Sequence, residues 1–118
     1  MSSYQQIFYH LVFGTKDREK TVTEEHCTEL YQYIWGIVRN HASKLYRING
    51  VEDHLHLLSD LHPTIALADY VKNIKVANSI WMKESGKFPL FKGWQDGYGA
   101  FTCSIHEKER IIGYIKNQ

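Results

Sequence analysis

The order of periodic segments in this chain predicts an α+β fold of the ferredoxin-like (RRM-like) kind. Its expected form is a four-stranded antiparallel sheet with helices on one face and an added C-terminal helix carrying Tyr114. Three observations predict it. A nearly continuous apolar and aromatic run opens the chain, two long amphipathic segments alternate with stretches of strand character, and a last amphipathic segment follows the fourth such stretch.

Residues 4–13 read as the first strand: Ile7, Tyr9, Leu11 and Phe13 alternate with Phe8, His10 and Val12, so both faces are expected to be buried. Residues 14–18 end it. Thr21-x-x-Glu24 reads as a capping box, and Cys27, Leu30, Tyr31, Ile34, Ile37 and Val38 follow at helical spacing to about residue 43. Residues 45–51 have the character of a second strand, Glu52 and Asp53 of a tight connection, and residues 54–61 of a third strand paired with the second as a hairpin. Residues 62–64 open the next helix, whose apolar stripe is Leu67, Tyr70, Val71, Ile74, Ala77 and Trp81, and residues 85–89 close it. A glycine-containing fourth strand spans residues 95–104. Ser104-x-x-Glu107 is a second capping box, starting a helix that runs to the end of the chain. The two helices between the strands should cover one face of the sheet and leave the other free for function.

A length of 118 residues suits a single domain, 1–118, and 43% hydrophobic with 23% charged residues is ordinary for a soluble globular protein. No apolar run is long enough to span a bilayer, and the N-terminus lacks a basic segment leading into an apolar one. The expectation is a cytoplasmic protein with no membrane association. Cys27 and Cys103 form no CxxC pair and are expected to be two buried thiols in a reducing compartment. A net charge of +1 does not itself point to nucleic acid, so any basic surface must be local.

His54 and His56 stand two apart on the third strand, so both side chains share a face, while Leu55, Leu57 and Leu61 point the other way to meet the helices. Neutral imidazole offers a lone pair near neutral pH, and two of them on an open face can grip one metal ion. A His-x-His pair alone, in a chain with seven histidines, is mostly surface or core decoration; its placement opposite the leucines, where the core does not need it, is what favours a site. On the last helix Ile111, Ile112 and Ile115 cluster, and Tyr114 lies at the edge of a polar stripe with Glu107, Arg110 and Gln118. Tyr114 there is either an amphipathic cover for the core edge or a phenol presented to a site. A tyrosine nucleophile suits phosphodiester transfer, because a covalent phosphotyrosine conserves the bond energy needed for rejoining.

Several segments, taken in order, resemble the HUH single-stranded-DNA transposases with one catalytic tyrosine, the family of small insertion-sequence transposases and REP-associated tyrosine transposases. Residues 51–58, Val-Glu-Asp-His-Leu-His-Leu-Leu, look like the family's HUH segment, and residues 9–16 resemble its first strand and exit. Residues 91–101, with Trp94, Gln95, Gly97 and Tyr98, resemble the approach to its last strand, and Tyr114-x-x-x-Gln118 matches its tyrosine and following glutamine. The resemblance implies a ferredoxin-like fold, a homodimer, and a divalent metal, Mg2+ or Mn2+, held by His54, His56 and Gln118. It implies that Tyr114 attacks a scissile phosphate, leaving a 5′-phosphotyrosine and a free 3′-hydroxyl, and that the substrate is a single-stranded element end beside a DNA hairpin. Family members continue beyond the tyrosine helix, whereas this chain stops at Gln118, which reads as a shortened C-terminus.

For the DNA surface the candidates are Lys16 and Arg18 after the first strand, with Lys20, and Lys72, Lys75 and Lys83 on one stripe of the second helix. Lys87 and Lys92 flank the loop around Pro89. Relaxases and replication initiators share the HUH strand, but the short chain and the Tyr114-to-Gln118 spacing disfavour them. The non-enzymatic alternative is a ferredoxin-like nucleic-acid-binding protein, catalytically silent or domesticated. An RNA-recognition motif would carry aromatics and basic residues where the third strand has histidines.

Overall fold

In this computed structural model the described residues are 7–118. The strands are β1 (Ile7–Gly14), β2 (Leu45–Val51), β3 (His54–Ser59) and β4 (Gly99–Ser104); the helices are α1 (Cys27–Asn40), α2 (Leu67–Ser85) and α3 (Lys108–Lys116). The part of the expected first strand at residues 4–6 lies outside the described residues. The strands form one sheet in the order β2-β3-β1-β4, every neighbouring pair antiparallel, which is the expected ferredoxin-like arrangement. No helix among the described residues is long and apolar enough to cross a membrane.

Strand parity sorts the side chains onto two faces. Leu11 and Phe13 of β1 pair with Leu57 and Leu55 of β3, and all four meet Leu30, Ile34 and Val38 of α1 and Tyr70, Val71 and Ile74 of α2 in the main core. Burial of each such side chain contributes about 1.5–3 kcal/mol. α2 ends where Gly86 takes a left-handed conformation, φ +73°, which glycine adopts without steric cost.

The opposite face is not left open. α3 lies across it, and Ile115 meets Phe8, Leu58 and Cys103 in a second, smaller core. The free face expected from the element order is therefore partly roofed by the C-terminal helix, because Leu58, of the same parity as His56, is apolar and needs cover. Cys103 is buried there as expected, but Cys27 is only half-buried.

The two capping boxes fare differently. Thr21 does not cap α1: its N–H and that of Val22 both donate to the Glu52 carbonyl, at 3.1 and 2.9 Å, and a 3-10 turn at Glu24–His26 leads into the helix. Those amides tie the chain after β1 to the tip of the β2–β3 hairpin, a tertiary use that local spacing does not reveal. At α3, the Glu107 carboxylate does reach back, accepting from the Ser104 N–H at 3.1 Å and from its hydroxyl at 3.2 Å. The fourth strand begins later than expected, at Gly99, because Gly93 to Gln95 instead run beside the end of β1, Lys16 N–H donating to the Gly93 carbonyl and Gln95 N–H to the Gly14 carbonyl.

Candidate active site

His54 and His56 share the α3 face of β3, their ring centroids 5.0 Å apart. The hairpin that carries them turns at once from Val51 through Glu52 and Asp53, and it closes only because position 50 is glycine. A Cβ at Gly50 would run into the His54 carbonyl and Leu55.

Each histidine is held at Nδ1. His54 Nδ1 lies 2.7 Å from Asp53 Oδ1; a carboxylate only accepts, so Nδ1 carries a proton, and the lone pair of the neutral ring is on Nε2. Arg18 completes this corner, Nη2 3.6 Å from Asp53 Oδ2 and 3.3 Å from the His54 ring. It gets there across Gly14, where a Cβ would meet its Cδ at 2.9 Å, after a turn in which Asp17 and Arg18 take positive φ of 58° and 55°. The hydrogen bond from His54, followed by the Arg18 charge, holds the Asp53 carboxyl below its usual range.

His56 is 7% exposed, and its Nδ1 lies 3.0 Å from His10 Nε2 of β1. Burial first, then the neighbouring charges of His10 and His54, push its pKa down to about 4, so it is a neutral imidazole at neutral pH. Burial also lowers the pKa of His10. Among the described residues the sealed side-chain polar atoms without a partner are Thr21 Oγ1 and Asn78 Nδ2. Two imidazoles on one face, each engaged at Nδ1, form a donor set whose Nε2 atoms suit a divalent cation.

α3 brings Tyr114 to this group. Its ring stands edge-on to His56 at 5.8 Å and to His10 at 5.9 Å between centroids, and the residue remains 51% exposed. Ile115, the next residue, anchors the helix in the small core. Gln118 is placed differently. Its amide Nε2 donates to the Tyr114 carbonyl at 3.1 Å, and its own carbonyl accepts from Asn49 Nδ2 at 3.3 Å. It makes no hydrogen bond to either histidine among the described residues, but it rests over β2 where Asn49 and Val51 pair with His56 and His54.

The basic residues divide into two groups. Lys16 and Arg18 lie on the turn beside His54, with Lys16 exposed. Lys72 and Lys83 are exposed on α2, on the far side of the sheet, whereas Lys75 donates to the carbonyls of Gln95 and Gly97 at 2.7 and 2.9 Å. Lys75 thus braces the loop before β4. Lys87 pairs with Glu29, and Lys92 with Glu19 at 3.5 Å.

Sequence reasoning missed His10 as a member of this group. The available signal was a titratable residue inside an otherwise apolar strand; what was lacking was the β1–β3 register, which sets His10 opposite Leu58 and diagonal to His56. It also treated Arg18 only as a DNA-binding side chain, and Asp53 only as part of a turn.

A ferredoxin-like sheet with paired histidines under a tyrosine-bearing helix defines the tyrosine-transposase class. The IS200-like transposase family matches residues 3–118, and the chain belongs to that family. The ISDra2 transposase TnpA of Deinococcus radiodurans is 28% identical, over 96% of this chain and 84% of that protein. A crystal structure of a transposase from Deinococcus radiodurans R1 superimposes with a TM-score of 0.76 at 28% identity, covering 100% of this chain and 95% of that one. A REP-associated tyrosine transposase bound to a REP hairpin gives 0.70 at 14% identity, over 98% of this chain and 70% of that one, a likeness of fold.

Proposed function

We propose that this transposase cuts and rejoins single-stranded DNA at insertion-element ends through a 5′-phosphotyrosine on Tyr114. The observation that carries the reading is the placement of the Tyr114 ring against His56 and His10 on the roofed face of the sheet. In the cleavage step the Tyr114 Oη attacks the scissile phosphorus and forms the Oη–P bond as the P–O3′ bond breaks. The phenol proton goes to solvent, and the departing 3′-oxygen takes one up as a free hydroxyl. Attack on the phosphotyrosine by another 3′-hydroxyl reverses these changes and rejoins the strand, with no external energy source.

His54 and His56 would hold a divalent cation, Mg2+ or Mn2+, through Nε2, with the Gln118 side-chain oxygen as the third donor once the chain end turns from β2 toward them. Such a cation supplies charge neutralisation at the scissile phosphate. Arg18, beside His54, is the side chain of this turn best placed to orient that phosphate, with Lys16 holding the adjoining backbone. Lys72, Lys75 and Lys83 belong to the same reading as contacts to a DNA hairpin, Lys75 chiefly through the loop it braces. A homodimer and a cytoplasmic location complete it; exposed Phe101 on the edge strand β4 supports an association surface.

The test is incubation with labelled single-stranded element-end DNA containing its hairpin, in Mn2+, followed by a denaturing gel. Wild type should give a covalent protein–DNA adduct, and Tyr114→Phe should lose it while binding the same DNA. An adduct that survives in Tyr114→Phe refutes the nucleophile. Binding without adduct in wild type, across metals, favours the catalytically silent DNA-binding protein.

A further inference from the structure

We propose that His10 is a positioning residue of the metal site, accepting the Nδ1 proton of His56 and so keeping the His56 Nε2 lone pair turned outward. The inference rests on the reading of His54 and His56 as metal ligands. Its basis is the buried contact between His10 Nε2 and His56 Nδ1, 3.0 Å long, between residues 9% and 7% exposed.

Only one of the two nitrogens in that contact carries the shared proton. If His10 were the donor, the single proton of neutral His56 would sit on Nε2, and the ring would have no lone pair to offer a cation. If His56 is the donor, Nε2 is bare and available. Ligation by His56 with this contact intact therefore requires His10 to accept through Nε2 and to carry its own proton on Nδ1.

The same logic already operates two residues away, at His54. His54 Nδ1 donates to Asp53, and its Nε2 is left bare. The two rings thus share one tautomer, imposed by two different acceptors: a carboxylate next in sequence and an imidazole from the neighbouring strand. Partners of this kind, one step behind a metal ligand, typically change metal affinity 10–100-fold when removed. Phe101 at 6.0 Å and Tyr114 at 5.9 Å flank the His10 ring and limit its rotation.

The experiment measures Mn2+ affinity by electron paramagnetic resonance for wild type, His56→Ala, His10→Leu and His10→Gln. The expected result is a roughly 10–100-fold loss in His10→Leu, with His10→Gln close to wild type, because its side-chain oxygen can accept in place of Nε2. A purely structural role predicts no rescue by glutamine. His10→Leu that binds within about twofold of wild type, while His56→Ala does not bind, overturns the role of His10 and leaves the metal site standing. Binding by His56→Ala equal to wild type, or none by wild type, overturns the metal site and the inference with it. Should His10→Leu fail to fold, imidazole nitrogen NMR of wild type in saturating Mg2+ decides. Protons on Nδ1 of both His10 and His56 uphold the proposal; a proton on His10 Nε2 overturns it.

Discussion

Burial separates the two histidines of β3 more than their shared face suggests. His56 is kept neutral chiefly by being buried, whereas His54, with 21% of its side chain exposed, takes its orientation from the Asp53 carboxylate at 2.7 Å. Removing that acceptor should let the His54 ring turn and its tautomer scramble. Asp53→Ala is therefore expected to weaken Mn2+ binding about 10–100-fold, while Asp53→Asn, whose amide oxygen can accept the same proton, keeps most of it. Calorimetric titration of both variants measures this; unchanged affinity in Asp53→Ala would mean that packing alone fixes the ring. The pair His54 and His56 was legible from strand parity, since a two-residue period needs no tertiary information. His10 was not, because its meaning depends on which residue of another strand lies diagonally across from it.

At the level of elements, the hairpin and α3 each carry part of the candidate site, and each has identifiable weak points. Gly50→Ala forces a Cβ against the His54 carbonyl and Leu55. The cost should be about 1–3 kcal/mol, as for overpacking, with Mn2+ binding falling more than in a control substitution of equal destabilisation; denaturant melts and metal titrations together check it. α3 is held by a smaller apolar cluster than the helices of the main core. Ile115→Ala, at a site 0% exposed, should cost about 2–5 kcal/mol if α3 stays docked. Because the small core lies under this helix, the loss should show as faster hydrogen exchange at residues 108–116 with β1 and β3 still protected. Acid should loosen the same element. The Ser104 N–H, then its hydroxyl, hold the Glu107 carboxyl below its ordinary value of 4.5. A depressed folded pKa means that this support is complete above the unfolded value and is lost as pH falls through the folded one. Exchange in α3 should thus quicken on acidification below about pH 4.5 in wild type, and change far less with pH in Glu107→Gln. The α3 capping box was legible because both its partners are local; Thr21-x-x-Glu24 misled because the Thr21 and Val22 amides are spent on Glu52, a contact made across the fold.

Seen whole, the sheet is a partition, with α1 and α2 on one side and α3, Tyr114 and the histidines on the other. The element order was enough to foresee the partition, but not that α3 would roof the second side, since that follows from Leu58 and Ile115 meeting across it. The partition also puts the basic residues on different sides. Under the proposed function Lys72 and Lys83, on the far side of the sheet from Tyr114, would contribute to affinity alone, through DNA reaching round to α2; Arg18, 3.3 Å from the His54 ring, would affect chemistry as well. Replacing Lys72 and Lys83 by alanine should weaken binding to every DNA sequence tested. If each lysine neutralises one phosphate of duplex hairpin, the slope of log K against log salt should fall by about 0.9 for each lysine replaced, and the fraction of bound DNA converted to adduct should stay as in wild type. Arg18→Ala should lower that converted fraction even at protein concentrations that saturate the DNA. Lys75 is a poorer choice for this test, because its removal also releases the Gln95 and Gly97 carbonyls and loosens the loop before β4. Filter binding across a salt series, with adduct yield measured on the same samples, separates the two surfaces. An unchanged slope in the Lys72 and Lys83 double variant would remove α2 from the DNA path, and a full adduct yield in saturated Arg18→Ala would restrict Arg18 to holding Asp53 and His54 in place.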